Sequence, residues 1–265
     1  MLGDSHALAL RELLDQLARE HQLSGYFIAA PGSIPIPNLA TKQLPPNPDL
    51  LDRGDATARL ITEHKIKNVI LIARWSAYVE GLSDYDLASD STRQRASLLA
   101  VDSESREVSP NEAPHALRRA LTNFLQHHLP SETTLWILQQ VPESKTGIAE
   151  IGTKLKLLGL PFNPPLTTKA DHDRRQRRAN DILHNLQATG ARLLDPTSHF
   201  FNSQDQLVVE ADGRFLYRDE DHLTPHGAAL RLTPLLDPVL RHIADPRSPA
   251  PTRTAIQPVN HHTPN

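Results

Sequence analysis

Two short, largely apolar runs constrain this chain most: Asn68-Val69-Ile70-Leu71-Ile72-Ala73, stopped by Arg74, and Thr134-Leu135-Trp136-Ile137-Leu138-Gln139-Gln140-Val141, closed by Pro142. Neither shows polar alternation, so each reads as a strand buried on both faces, and that burial requires a parallel sheet covered by helices. Tyr26-Phe27-Ile28-Ala29-Ala30 before Pro31-Gly32 and Ala191-Arg192-Leu193-Leu194-Asp195 are two further strand candidates. Helical spacing falls between them. Leu8, Leu10, Leu13, Leu14 and Leu17 form one face of a helix from Ser5 to about Gln22, with Arg11, Glu12, Asp15 and Arg19 opposite. Further helices are expected over Leu50–Lys65, His115–Leu129 and His172–Ala188. The alternation predicts an α/β fold: a doubly wound, mainly parallel sheet with helices on both faces.

Other stretches are less regular. The segment 31–48 holds six prolines and is expected to be loop. Ser97–Val101 and Arg106–Val108 are expected to pair as a hairpin around Asp102–Ser105, and 143–171 reads as a long connection. Thr224 is a good N-cap with Pro225 in the first helical position, so a last helix starts there, which Pro234 and Pro238 should kink or end. Residues 1–243 then form one domain, and 244–265, dominated by Pro, Ser, Thr, Asn and His, form a disordered tail.

Composition excludes several kinds of function. A net charge of -3 with mixed signs offers no basic face for nucleic acid or an anionic membrane. The cluster Arg174-Arg175-Gln176-Arg177-Arg178 reads as a solvated helix face, with contact to an acidic polysaccharide as the alternative. There is no cysteine, so thiolate catalysis, disulfides and cysteine metal sites are excluded. The His and Asp positions lack the spacing of metal ligands, and neither a metal nor a cofactor is expected. No run of about 18 apolar residues and no signal-peptide pattern occurs, so the polypeptide is expected to be soluble and to carry no export signal of its own.

In a doubly wound sheet, sites lie beyond the carboxyl ends of the strands. That rule gathers Ser5, Pro31-Gly32, Arg74-Trp75, Pro142 and Asp219–His222 at one edge. Ser5, in Gly3-Asp4-Ser5-His6, is either a nucleophile at a helix start or an N-cap serine. His222 has the side chain best matched to taking a hydroxyl proton near neutral pH, and Asp219, three residues earlier, could aim at its Nδ1. Asp221 and Glu220 compete for that role, although an adjacent side chain usually points away from the ring.

Taken together, Gly3-Asp4-Ser5-His6 and Asp219-x-x-His222-Leu223 resemble the first and last sequence blocks of the SGNH (GDSL-like) hydrolase superfamily. The run Leu216-Tyr217-Arg218-Asp219-Glu220-Asp221-His222-Leu223-Thr224-x-x-Gly227-Ala228 is similar to one branch of it, the SGNH domain fused behind a membrane acyltransferase in bacterial surface-polysaccharide O-acetyltransferases. The strand ending at Arg74-Trp75, Val141-Pro142-Glu143 and Leu193-Leu194-Asp195-Pro196 also look like that branch, so the resemblance runs to about His242. It implies an SGNH/flavodoxin-like fold with Ser5 as nucleophile, His222 as base and Asp219 as its orienter. It also implies an oxyanion hole in which the Ser5 N–H is one donor and Gly32 supplies a second. A third block should carry Gly-x-Asn, but this chain reads Ala73-Arg74-Trp75-Ser76, so Arg74 or a backbone N–H near Trp75 is expected in that role.

The resemblance implies acetyl transfer to or from hydroxyls of a cell-surface carbohydrate. The alternatives are an acetylesterase of the same mechanism and a non-catalytic glycan-binding domain. It also implies an acetyl donor delivered by a membrane acyltransferase domain absent from this chain, a carbohydrate acceptor, and a periplasmic or other extracytoplasmic location. In that fold the nucleophile follows the first, central strand, yet only Met1 and Leu2 precede Gly3. The chain is therefore expected to be a fragment lacking that strand.

Overall fold

The computed structural model describes residues 1–42, 44–82, 98–145, 147–161, 164–245 and 247. Its centre is a five-stranded parallel sheet of β1 (Leu2–Gly3), β2 (Ile28–Ala29), β4 (Asn68–Ile72), β6 (Thr134–Leu138) and β7 (Arg192–Leu194), in the order β2-β1-β4-β6-β7. This is the flavodoxin-like winding, whose order reverses between β1 and β4. β1, of two residues, lies between β2 and β4. Leu2 aligns with Leu71 and Gly3 with Ile72, so β4 runs three residues further back, from Asn68 to Ile70, than β1 does.

Strand alternation divides two cores. Val69, Leu71, Leu135 and Ile137 face one of them, packed by α3 (Pro48–Glu63), α4 (Trp75–Glu80), α5 (Ala113–Asn123) and α7 (Lys169–Ala188) through residues such as Ile61, Tyr78, Leu117 and Leu183. Ile70, Ile72, Trp136 and Leu138 face the other, packed by α1 (Ser5–Ala9), α2 (Arg11–Glu20) and α8 (Pro225–Ala244) through Leu14, Leu17, Leu232 and Leu236. Burial of both faces explains why the strands read as unbroken apolar runs.

Several expectations are corrected. The first helix is two, α1 and α2, joined at Leu10. The proline-rich loop contains β3 (Ala40–Thr41), which pairs antiparallel with β5 (Ala100–Val101). Residues 106–108 therefore do not form the expected hairpin arm, and Ser97 lies outside the described residues. The polar turn at Asp102–Ser105 is held by Asp102 and Arg119 instead, with Arg119 Nε donating to Asp102 Oδ2 at 2.7 Å. The long connection includes α6 (Ile148–Leu157), where Leu157 and the following Leu158 are exposed, so no apolar stripe announced it.

Phe215 belongs to a small hairpin of β8 (Glu210–Ala211) and β9 (Arg214–Phe215). Thr224 caps α8 as expected, its hydroxyl accepting from Gly227 N–H at 3.0 Å. Pro234 and Pro238 do not end that helix, which continues to Ala244. Leu230 and Pro234, whose carbonyls the two rings deprive of donors, are exposed and can bond water. Within the basic cluster, Arg174 pairs with Asp171, Arg178 with Glu80, and Arg175 donates to the Gly81 carbonyl, tying α7 to α4. The proposed tail lies outside the described residues apart from Ala244, Asp245 and Arg247. No described helix is long and apolar enough to cross a membrane.

Candidate active site

The carboxyl end of β1 is fixed by Asp4. One of its oxygens accepts from His6 N–H at 2.8 Å and caps α1; the other accepts from Arg74 N–H and from the Tyr78 hydroxyl, each at 2.9 Å. A single carboxylate thus ties the turn after β1 to the end of β4 and the start of α4. Burial first, and Asp4 second, hold the Tyr78 phenol well above its ordinary pKa, so it stays a donor. Gly3 is required by space: a Cβ there would stand 2.0 Å from the Ile72 carbonyl oxygen and 2.7 Å from Ala7 Cβ.

Because Asp4 is the cap, Ser5 occupies the first helical position and its hydroxyl is not spent on capping. Among the described residues no side chain hydrogen-bonds to that hydroxyl. The next residue, His6, is buried, and its ring centroid lies 5.1 Å from that of His222. The nucleophile candidate and the base candidate are therefore brought into one neighbourhood from opposite ends of the chain.

His222 sits in a closed loop. Arg218 N–H donates to the His222 carbonyl at 2.9 Å, Tyr217 and Leu223 form a bridge, and Asp219 Oδ1 accepts from the His222 backbone N–H at 2.7 Å. The ring's Nδ1 lies 2.9 Å and 3.0 Å from the two Asp219 oxygens. Facing carboxylates, Nδ1 must carry the proton and donate, so Nε2 is the basic nitrogen of the neutral ring. Nε2 is buried and, among the described residues, has no hydrogen-bond partner. A cavity of about 10 Å³, near the room one water needs, lies beside His222, His6 and Asp221.

The adjacent Asp221 does reach the ring, Oδ1 standing 3.2 Å from Nδ1. Its other oxygen lies 3.0 Å from His6 Nε2 and 3.2 Å from Arg74 Nε. Arg74 Nε also donates to Glu143 Oε1 at 2.7 Å. Burial acts to lower the His222 pKa, but Asp219 and Asp221 overcome it and raise the group to about 9. Burial likewise acts to raise Asp221 and Glu143; bonds from His222 and His6 hold Asp221 below its ordinary value, and the charges of Arg74 and Arg175 do the same for Glu143. All three carboxylates, Asp219 included, are ionised near neutral pH.

The remaining candidates are placed as follows. The Arg74 side chain is taken up by acids, and its N–H by Asp4. Trp75 is fully buried, its indole Nε1 donating to the Leu138 carbonyl at 2.7 Å. Gly32 adopts a left-handed φ of 68°, and its carbonyl accepts from Thr41 at 3.0 Å. His6, Asp221 and His222 could turn one ligand atom each toward a common point, all within 4.8 Å. The Arg74 guanidinium, 3.2 Å from the same Asp221 oxygen, opposes a second cation there. Sequence reasoning missed the roles of Asp4, Tyr78 and Glu143, of which the position of Asp4 next to Ser5 alone could have signalled one, and it named Asp221 only as a competitor of Asp219 at the ring.

Comparison with known proteins bears on the family and the fold. Among curated proteins none matches the chain. Of solved structures, the periplasmic domain of a Salmonella ser. Paratyphi A lipopolysaccharide acetyltransferase is similar in fold, with a TM-score of 0.56 at 16% identity over 88% of this chain and 79% of that one. A candidate acylhydrolase from Bacteroides fragilis aligns with a TM-score of 0.43 at 11% identity over 91% of this chain and 85% of that one. The family model described as "SGNH domain (fused to AT3 domains)" matches residues 1–238, and the chain belongs to that family.

Proposed function

We propose that this protein moves an acyl group, acetyl in the first instance, to or from hydroxyls of a cell-surface carbohydrate through a covalent ester on Ser5. The observation that carries this reading is the His222 ring, held at Nδ1 by Asp219 with Nε2 unpartnered, close to the turn that presents a serine hydroxyl free of capping duty. As Ser5 Oγ attacks the acyl carbonyl, its proton passes to His222 Nε2, and Asp219 stabilises the imidazolium that forms. Collapse of the tetrahedral intermediate breaks the bond to the leaving group, which takes that proton. A carbohydrate hydroxyl then attacks the Ser5 ester, giving its proton to Nε2, and Ser5 is regenerated.

The developing oxyanion needs donors. Asp4 takes the Arg74 N–H and Gln140 Oε1 accepts from Ser76 N–H at 2.8 Å, so the donors of this reading are the Ser5 N–H that opens α1, the Gly32 N–H and, of the groups after β4, the Trp75 N–H. Arg74 itself shapes this corner through Glu143 and Asp4. The family's fusion to AT3 domains supports a membrane acyltransferase partner that delivers the acetyl group, and the lipopolysaccharide-acetyltransferase neighbour supports a periplasmic setting and a glycan acceptor.

Turnover of p-nitrophenyl acetate, measured with and without an oligosaccharide acceptor, tests the reading. Release of nitrophenol that is lost in Ser5→Ala, with acetate appearing on the sugar, is expected. Release that survives Ser5→Ala would overturn the mechanism, and acetate found only in water would make the protein an esterase.

A further inference from the structure

We propose that His6 and Asp221 form a second histidine–carboxylate pair whose task is to position the base, coupling His222 to the turn that carries Ser5. This rests on the Ser5–His222 reading above and deepens it. Asp221 uses both oxygens: Oδ1 lies 3.2 Å from His222 Nδ1, and Oδ2 lies 3.0 Å from His6 Nε2. An ionised carboxylate can only accept, so His6 Nε2 carries a proton and donates. His6 and Asp221 are 4% and 6% exposed, and a carboxylate buried to that degree needs a donor facing it. Their mutual bond supplies that donor while spanning 215 residues of sequence.

The connection matters because His6 lies on α1, directly after the turn by which Ser5 leaves β1. Asp219 aims the His222 ring within its own loop, but nothing in that bond relates the ring to Ser5. The His6–Asp221 bond does, since His6 is covalently next to Ser5 and Asp221 next to His222. Arg74, pinned by Glu143, stands 3.2 Å from Asp221 Oδ2 and keeps that carboxylate charged and in place.

The charged and titratable groups facing His222 are Asp219 and Asp221 from its loop, with Arg218 behind Asp219 at 3.5 Å, His6 from α1, and Arg74 with Glu143 from the strand ends. Removing one of the two carboxylates at Nδ1 therefore changes both where the ring points and how tightly it holds a proton. His6 and Asp221 are positioning residues that act through His222 and Ser5.

The test compares Asp221→Asn, His6→Leu and His6→Gln with the parent and with Ser5→Ala, using p-nitrophenyl acetate and a serine-directed phosphonate across a pH series. Asp221→Asn is expected to lower kcat by about 10- to 100-fold with little change in KM, and to move the rising limb of kcat/KM toward acid. His6→Leu is expected to lower kcat by a similar factor, and His6→Gln, whose amide nitrogen can still donate to Asp221, to recover most of it. An unshifted pH limb in a folded Asp221→Asn protein, or equal rates in the two His6 variants, would overturn the pairing. If Asp221→Asn does not fold, the His6 pair decides alone. Activity persisting in Ser5→Ala would instead overturn the Ser5 mechanism itself, a different outcome from any of these.

Discussion

The two ends of the shortest strand are opposites. At its carboxyl end Gly3 has no room for a methyl group, and Asp4 spends both oxygens on three donors from His6, Arg74 and Tyr78. At its amino end a cleft of about 700 Å³ opens between β2 and β4, lined by residues such as Leu2, Leu14, Phe27, Ile61, Val69 and Leu240. There Asn68, Val69 and Ile70 pair with β6 on one side and, among the described residues, with no strand on the other. The site edge is the tightly bonded end of this strand. Its cross-links run from Asp4 to β4 and α4, from His6 to Asp221, and from Arg74 to Glu143.

The largest expected effect is at the cross-linked end. Asp219→Asn should lower kcat by about 10³- to 10⁴-fold, as loss of the orienting carboxylate does in serine-protease triads. In the parent, kcat/KM should rise with pH through an apparent pKa near 9, because only neutral His222 can accept the Ser5 proton, and Asp219→Asn should move that limb toward acid. The sign for stability is opposite. A His whose pKa is raised from 6.5 to about 9 stabilises the fold fully below 6.5, and that contribution is lost as pH rises through 9. A flat kcat/KM profile across this range would break the assignment of His222 as base.

Packing gives the next contrast. Gly3→Ala should destabilise by at least the 1–3 kcal/mol typical of overpacking, since the colliding atom is a backbone oxygen in the neighbouring strand. The smallest effect is expected at the open end: Ala18→Leu, on the cleft wall, should stabilise by about 0.5–2 kcal/mol by filling space. Thermal melts of the two variants check both. Equal costs for the two substitutions would erase the difference between the ends.

Much of this was legible in the residues. The runs at 68–73 and 134–141 gave the parallel sheet because burial on both faces leaves no polar alternation, and β4 and β6 are where they were placed. Asp219-x-x-His222 was legible because three positions fit one turn. What escaped depends on contacts distant in sequence. The pairing of Ala40–Thr41 with Ala100–Val101 joins segments some 60 residues apart by two residues each, too short for any periodicity to show. Asp221 was set aside on the rule that neighbouring side chains diverge, whereas the tight 217–223 loop turns both carboxylates onto one nitrogen. Pro234 and Pro238 were read as helix breakers because the sequence does not say which carbonyls face water.

The central claim is that Ser5 carries the acyl group. Acid-quenching the protein during turnover of p-nitrophenyl acetate and locating the acetyl group by peptide mass spectrometry tests it directly. One acetyl group on the peptide containing Ser5, absent in Ser5→Ala and accumulating when the acceptor is withheld, is the expected result. An acetyl group on another residue, or none on a protein that is turning over, would contradict the account.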